Sequence, residues 1–226
     1  MPGAAFFDLD RTLISRSSSL SLAPAFHRRG LLRRRDRTKA TIAQLVFMRY
    51  GAGTSRVGQT AESGMVFLRG VRVEEMRAIV EEAVGSAFKP HVYRDALDLV
   101  ARHRARGECS FIVSAALQEI VDALVSELGF DGGLGSTAEV EDGAYTGRLT
   151  RRLDGPAKAT ALAELAVTDG IDLQESTAYS DSASDVPFLE AVGHAVAVNP
   201  DRRLRAIAAE RSWRVLRFST KAFPER

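Results

Sequence analysis

The sequence predicts an α/β protein: a doubly wound parallel sheet with an inserted helical cap. Three observations predict it. Short, unbroken apolar runs recur along the chain: AAFFDL (Ala4 to Leu9), CSFIVSA (Cys109 to Ala115) and HAVAVN (His194 to Asn199). Such runs suit strands covered on both faces, as in a parallel sheet. Stretches of helical period separate them, and strands alternating with helices imply right-handed crossovers. One separation is far longer than the others. From about Ser19 to Ala87 the chain reads as mostly helical, an insertion between the first two core strands. The expected boundaries are residues 1–14 and 88–226 for the α/β core and 15–87 for the helical cap.

Taken in order, AAFFDL is the first strand. The insertion follows, punctuated by Gly and Ser at GAGTS (Gly51 to Ser55). Its last part, VEEMRAIVEEAVGSAF, repeats apolar residues at helical spacing: Val73, Met76, Ile79, Val80 and Val84. YRDALDLVARHRARG reads as a helix with Leu97, Val100 and Ala101 on one face and Gly107 as its stop. CSFIVSA is the second core strand, and LQEIVDALVSELG the helix after it. In STAEVEDGAYTGRLTRRL, Asp142-Gly143 is a hairpin signal between strand-like runs. GPAKATALAELAV is a helix with Pro156 in its first turn. STAYSDS is a third strand ending in polar residues, and HAVAVN a fourth. RSWRVLRF, with Trp213, reads as a strand or tail that packs on the core.

Composition excludes several classes. Of 226 residues, 45% are hydrophobic, enough for a sizeable core, and the formal net charge is only +2. That balance gives no case for nucleic-acid binding. A lone cysteine, Cys109, excludes an internal disulfide, fits a reducing cytoplasm and is expected as a small buried hydrophobe. No apolar run approaches the roughly 20 residues of a membrane span, and MPGAAFFDLD lacks the form of a signal peptide. The four histidines are scattered and form no metal pattern.

In an open parallel sheet, ligands bind beyond the carboxyl ends of the strands. Asp8, Asp10 and Thr12 stand at the end of the first strand, Ser114 at the end of the second, and Ser180, Asp181, Ser182 and Asp185 at the end of the third. Lys158 lies near the start of the helix leading into that third strand. Asp8 and Asp10 share a side-chain direction if the strand stays regular. Carboxylates this crowded repel one another, and a hard divalent cation resolves the conflict. Magnesium takes one or two carboxylates plus waters and phosphate oxygens. Acids, magnesium, a lysine and a hydroxyl together suit phosphoryl transfer. Each residue alone has a plainer reading: paired Asp as turn or cap residues, Ser114 as a helix cap, Lys158 as a solvated first-turn lysine.

DLDRT (Asp8 to Thr12), Ser114 in IVSAA, Lys158 and DSASD (Asp181 to Asp185) resemble, in order, the four motifs of the haloacid dehalogenase-like superfamily. The resemblance runs from Phe6 to about Pro200, and the helical insert resembles the cap of the phosphoserine phosphatase-like branch. It implies a Rossmann-like core and a magnesium-dependent phosphomonoester hydrolase. It implies Asp8 as nucleophile, forming an aspartyl-phosphate, and Asp10 as the acid that protonates the leaving alkoxide and then activates water. Thr12, Ser114 and Lys158 would hold the loop and the phosphate. Asp8, the main-chain carbonyl of Asp10 and Asp181 would ligate the metal, with Asp185 supporting that shell. An aspartate at position 10 is missing in relatives that displace halide and in ion-pumping ATPases. Its presence favours a phosphatase; a phosphotransferase or phosphomutase, and a phospho-ligand-binding protein without turnover, are the alternatives.

The sequence departs from that branch where substrate would be read. Phosphoserine phosphatases carry an acid shortly after the first motif, whereas SRSSSL (Ser15 to Leu20) has none. The cap arginine that grips the substrate carboxylate has its counterpart in GMVFLRG, where Arg69 is out of register. The Ser-Gly pair of the second motif is Ser114-Ala115, and Arg11 stands where many relatives have glycine, facing the site entrance or the cap. The expected substrate is therefore a phosphomonoester other than phosphoserine: a small phosphorylated metabolite first, with a phospholipid headgroup or lysolipid phosphate as the alternative that a basic run in the cap suggests. The basic run HRRGLLRRRDRTK (His27 to Lys39) is either a solvated helix face or a surface that steers anionic substrate or touches an acidic membrane.

Overall fold

The structure, a computed structural model, describes residues 1–31 and 68–223. The greater part of the expected cap, and of the basic run, lies outside the described residues.

Seven strands form one sheet in the order β4-β3-β2-β1-β5-β6-β7. They are β1 (Ala4–Phe7), β2 (Cys109–Leu117), β3 (Gly132–Glu141), β4 (Ala144–Arg151), β5 (Thr177–Ser180), β6 (His194–Val198) and β7 (Arg214–Leu216). All pairings are parallel except the β3–β4 hairpin. Asp142 (φ 49°) and Gly143 (φ 77°) turn that hairpin. Both φ values are positive, as a two-residue turn matched to strand twist requires, so the Asp-Gly signal is borne out.

Period-two alternation in β1 divides the core. Phe7 and Ala5 face one side with Ile112, Tyr179, Val196 and Val198. Four helices cover that side: α1 (Ser18–Arg28), α2 (Val73–Ala83), α3 (Arg94–Ala105) and α4 (Gln118–Leu128). Phe6 and Ala4 face the other with Phe111, Val113, Ala178 and Ala197. There α5 (Pro156–Asp169), α6 (Val186–Glu190) and α7 (Arg202–Glu210) close the core. Phe7 stacks on Tyr179 at 4.4 Å between ring centroids, and Phe6 on Phe111 at 5.6 Å. Each fully buried Phe contributes about 1.5–3 kcal/mol, which fixes β1, and the residues that follow it, at the centre of the sheet.

Three local expectations are corrected. The buried face of α3 is Ala96, Val100 and His103, while Ala101 is exposed. His103 moves the face by bonding inward: its Nε2 lies 2.7 Å from the Tyr179 hydroxyl, and Glu108 meets its Nδ1. Cys109 is exposed, because it opens β2 at the amino edge of the sheet before the strand enters the core. Finally, β2 runs on to Leu117, so Ser114 is not its last residue. Pairing with β1 nevertheless ends at Ile112, and the register with β3 shifts between Val113 and Leu117. Ser114 thus sits where the ladder breaks.

Candidate active site

The strand registers place the site. Phe7 is level with Ile112 in β2 and Tyr179 in β5. Asp8 comes next, its N–H donating to the Tyr179 carbonyl at 2.9 Å. Ser114 and Asp181 lie one step further, over the same carboxyl edge.

Beyond Asp8 the strand gives way to a tight turn, in which the N–H groups of Leu13 and Ile14 both donate to the Leu9 carbonyl (3.0 Å each). Arg11 takes a left-handed conformation there, with φ 64°. The turn separates the two acids that a regular strand would point the same way. Asp8 reaches into the sheet edge. Asp10 turns toward the start of α1, where it accepts the Ser18 N–H (2.8 Å) and the Ser18 hydroxyl (3.3 Å). The serines of SRSSSL therefore hold the acid of the first motif. Thr12 is fully buried, with an Oγ1 that has no hydrogen-bond partner.

Lys158 links the motifs. Gly155 (φ 47°, ψ −121°) takes a backbone that glycine alone adopts readily, and Pro156 opens α5 behind it. This turn drives Lys158 inward until it is 3% exposed. Its Nζ donates to Asp8 Oδ1 at 2.6 Å and to Asp185 Oδ2 at 2.7 Å. The Ser180 hydroxyl donates to the same Asp185 oxygen at 2.8 Å. Asp201 secures the loop that carries Asp181: its N–H donates to the Asp181 carbonyl (2.8 Å) and its Oδ2 accepts from the Ala183 N–H (3.0 Å). Ser114 is buried; its Oγ accepts the Ala116 N–H at 3.1 Å and keeps its own proton free to donate.

Negative charge at this edge exceeds what the protein neutralises. Burial pushes the Asp8 carboxyl up to about 7, against the pull of Lys158, and Asp185 adds to the rise. Burial, and then Asp8, push Asp181 up to about 8, with Arg11 pulling the other way. Burial also raises Asp10, against the Ser18 hydrogen bonds. Burial opposes the charge of Lys158, yet Asp185 and Asp8 overcome it and hold the lysine charged.

A divalent cation fits this donor set. Asp181 Oδ2 is buried and accepts no hydrogen bond. The only oxygens needed are two carboxylates and a main-chain carbonyl. Among the described residues no three acidic, histidine or cysteine side chains are placed to hold a metal ion by themselves, and this set, two side chains and a carbonyl, does not require it.

Raised carboxyl pKa values give a stability prediction with a definite sign. Folded protein holds protons on Asp8 and Asp181 that the unfolded chain, with pKa near 3.8, releases. Their contribution is present below the unfolded pKa and is lost as pH rises through the folded values. Metal-free protein is therefore expected to melt at a lower temperature at about pH 8 than at about pH 5. Magnesium should raise the melting temperature more at the higher pH, and thermal melts in EDTA and in magnesium check both.

The haloacid dehalogenase-like hydrolase family matches residues 5–190, from within β1 to the end of α6. The chain belongs to that family. A probable phosphatase of Mycobacterium tuberculosis is 42% identical over 216 residues, covering 96% of this chain and 75% of the relative. A phosphoserine phosphatase of the same species is 36% identical over 220 residues, covering 96% and 71%. A Bordetella pertussis crystal structure of unknown function superposes with a TM-score of 0.84 at 29% identity, covering 96% of this chain and 98% of that one. The chain is a haloacid dehalogenase-like hydrolase of the phosphoserine phosphatase-like branch, and its doubly wound core is the one its sequence predicts.

In this hydrolase the structure brings Asp8, Lys158, Asp185 and Asp181 into one buried cluster, with Asp10 beside it. Ser114 and Thr12 stand on the same edge without touching that cluster directly. Sequence reasoning missed Ser18 and Asp201, and it placed Arg11 at the site entrance or the cap without its contact to Asp181. Asp201 had a signal, since it begins a helix in NPDRRL and caps it by accepting the Leu204 N–H at 2.7 Å. Ser18 had none that local pattern could supply.

Proposed function

We propose that this hydrolase is a magnesium-dependent phosphatase that cleaves a small phosphomonoester through an aspartyl-phosphate at Asp8. Lys158 supports this most strongly. A buried lysine shared between Asp8 and Asp185, beside an under-neutralised Asp181, is costly as a structural device and useful as a phosphate site.

In the first half-reaction an Asp8 carboxylate oxygen bonds to phosphorus while the ester P–O bond breaks, and Asp10 gives its proton to the departing alkoxide. In the second, Asp10 takes a proton from water. The water oxygen bonds to phosphorus, and the Asp8–phosphorus bond breaks. Splitting the reaction this way is nucleophilic catalysis. Ser18 positions Asp10 for both proton transfers. Ser114 and Thr12 donate hydroxyl hydrogen bonds to phosphoryl oxygens, and Lys158 balances their charge. Magnesium, held by Asp8, the Asp10 carbonyl and Asp181 with Asp185 in support, would add positive charge at the phosphoryl oxygens.

The substrate is a small phosphorylated metabolite other than phosphoserine. Ser17 and Ser18 occupy the stretch where an acid would meet the substrate amine, and Ser18 is committed to Asp10. Arg69 is committed as well, its Nε donating to the Thr146 carbonyl on β4 at 3.0 Å. The name of the 36% identical relative belongs to that relative. A cytoplasmic setting accompanies this reading; among the described residues no helix is long and apolar enough to cross a membrane.

Phosphate release from a panel of phosphomonoesters, with magnesium or with EDTA, tests the proposal. Magnesium-dependent release is expected, with phosphoserine not the best substrate; phosphoserine as by far the best would overturn the substrate assignment. Asp10→Asn should lower kcat by about 100- to 10,000-fold, the usual worth of a general acid-base group. Steady-state kinetics on the best panel member measure that loss.

A further inference from the structure

Arg11 is the one strained residue of the first motif, and it does not face away from the chemistry. It holds a left-handed φ of 64°, a conformation that a side chain with a Cβ disfavours. From there its Nε lies 3.1 Å from Asp181 Oδ2. The contact is an ion pair without hydrogen-bond alignment, since that oxygen accepts no hydrogen bond. Arg11 is 47% exposed at its side chain, whereas Asp181 is 5% exposed. A half-solvated guanidinium thus reaches in from the mouth and rests on a buried carboxylate. The other charged groups that act on Asp181 are Asp8, Asp185 and Lys158, and Lys158 is already shared between Asp8 and Asp185. Arg11 is therefore the cation left for Asp181 within the described residues.

We infer that Arg11 is a built-in competitor of the divalent cation: it partly offsets the Asp181 charge in the metal-free protein and must withdraw when metal binds, so it weakens metal affinity. This rests on the magnesium set proposed above. The geometry supports it in two ways. Two cations cannot share a single buried carboxylate oxygen without repulsion, and the long, half-exposed arginine is the one free to leave. Its left-handed backbone also aims the side chain across the turn at Asp181 and not out along the loop. Arg11 is a positioning residue here, acting through Asp181 and not on substrate.

Titration of metal-stripped, full-length protein with Mn2+, following free Mn2+ by electron paramagnetic resonance, tests this without any assay of turnover. Arg11→Asn removes the charge with a residue that tolerates the left-handed region, and Arg11→Gly removes both charge and strain. Both should bind Mn2+ about two- to fivefold tighter than wild type, the range expected for losing one partly exposed ion pair. Arg11→Lys, which keeps the charge but not the fork, should fall between. Equal or weaker binding by the Asn and Gly variants, with wild type binding normally, would overturn the inference alone. Absence of binding by wild type would overturn the metal set and this inference with it. Loss of binding in Asp181→Asn confirms that the titration reads this site.

Discussion

Asp8→Asn is expected to abolish phosphate release while leaving the fold intact. The amide has no nucleophilic oxygen able to form a stable bond to phosphorus, and no other carboxylate can take its place. Asp10 is turned to Ser18, Asp185 is bound by Lys158 and Ser180, and Asp181 lies one step further along the edge. Turnover should fall by about four orders of magnitude or more, as when a covalent nucleophile is removed. Stability should move the other way or not at all. The amide oxygen still accepts from Lys158, and removing the Asp8 charge relieves Asp181, which Asp8 now pushes up. Kinetics and a thermal melt on one preparation check both halves. A variant that turns over near the wild-type rate would contradict the nucleophile assignment, and one that fails to fold would contradict the charge analysis.

Lys158→Met should cost both activity and stability. Lys158 is the shared partner of two buried carboxylates, at 2.6 and 2.7 Å. Methionine fills similar volume over the Phe188 ring but leaves both acids without their counter-charge. Breaking a buried pair from one side costs about 3–5 kcal/mol, because the stranded charge remains. The deficit should depend on pH with a fixed sign. Without the lysine the Asp8 carboxyl, already raised by burial, loses the group that pulls it down and rises further above its unfolded value, so stability is retained at low pH and lost as pH climbs. Chemical denaturation should show a smaller gap from wild type at about pH 5 than at about pH 8. Turnover should fall by about a hundredfold or more, the cost of losing one preorganised electrostatic contact. A variant as stable as wild type at the higher pH would mean that Lys158 is not what neutralises this edge.

Much of this could be read from the chain because its strands are buried on both faces. AAFFDL and HAVAVN have no polar alternation, which separates a parallel sheet from a half-exposed one. The Asp-Gly hairpin and Pro156 at the start of α5 act locally, so local pattern found them. Site residues were legible where chemistry is dense: four acids at strand ends and a lysine at a helix start have few plain explanations together. What escaped depends on through-space contact. Ser18 is eight residues from Asp10 and meets it only because the Leu9–Ile14 turn folds back. Arg11 needs that same turn, and its backbone strain, to reach Asp181. The α3 face was misjudged because His103, polar in sequence, is drawn inward by the Tyr179 hydroxyl. Cys109 was misjudged because hydrophobicity marks a strand but not where the sheet edge meets solvent.

The central claim is a phosphoryl group carried on Asp8. Wild-type protein should be mixed with its best substrate and magnesium, quenched in acid during turnover, and treated with borohydride, which reduces an acyl phosphate to an alcohol. Peptide mapping should then find homoserine at position 8, in a substrate-dependent amount, and unmodified aspartate at positions 10, 181 and 185. Turnover with Asp8 unmodified, or reduction at one of the other aspartates, would contradict the account.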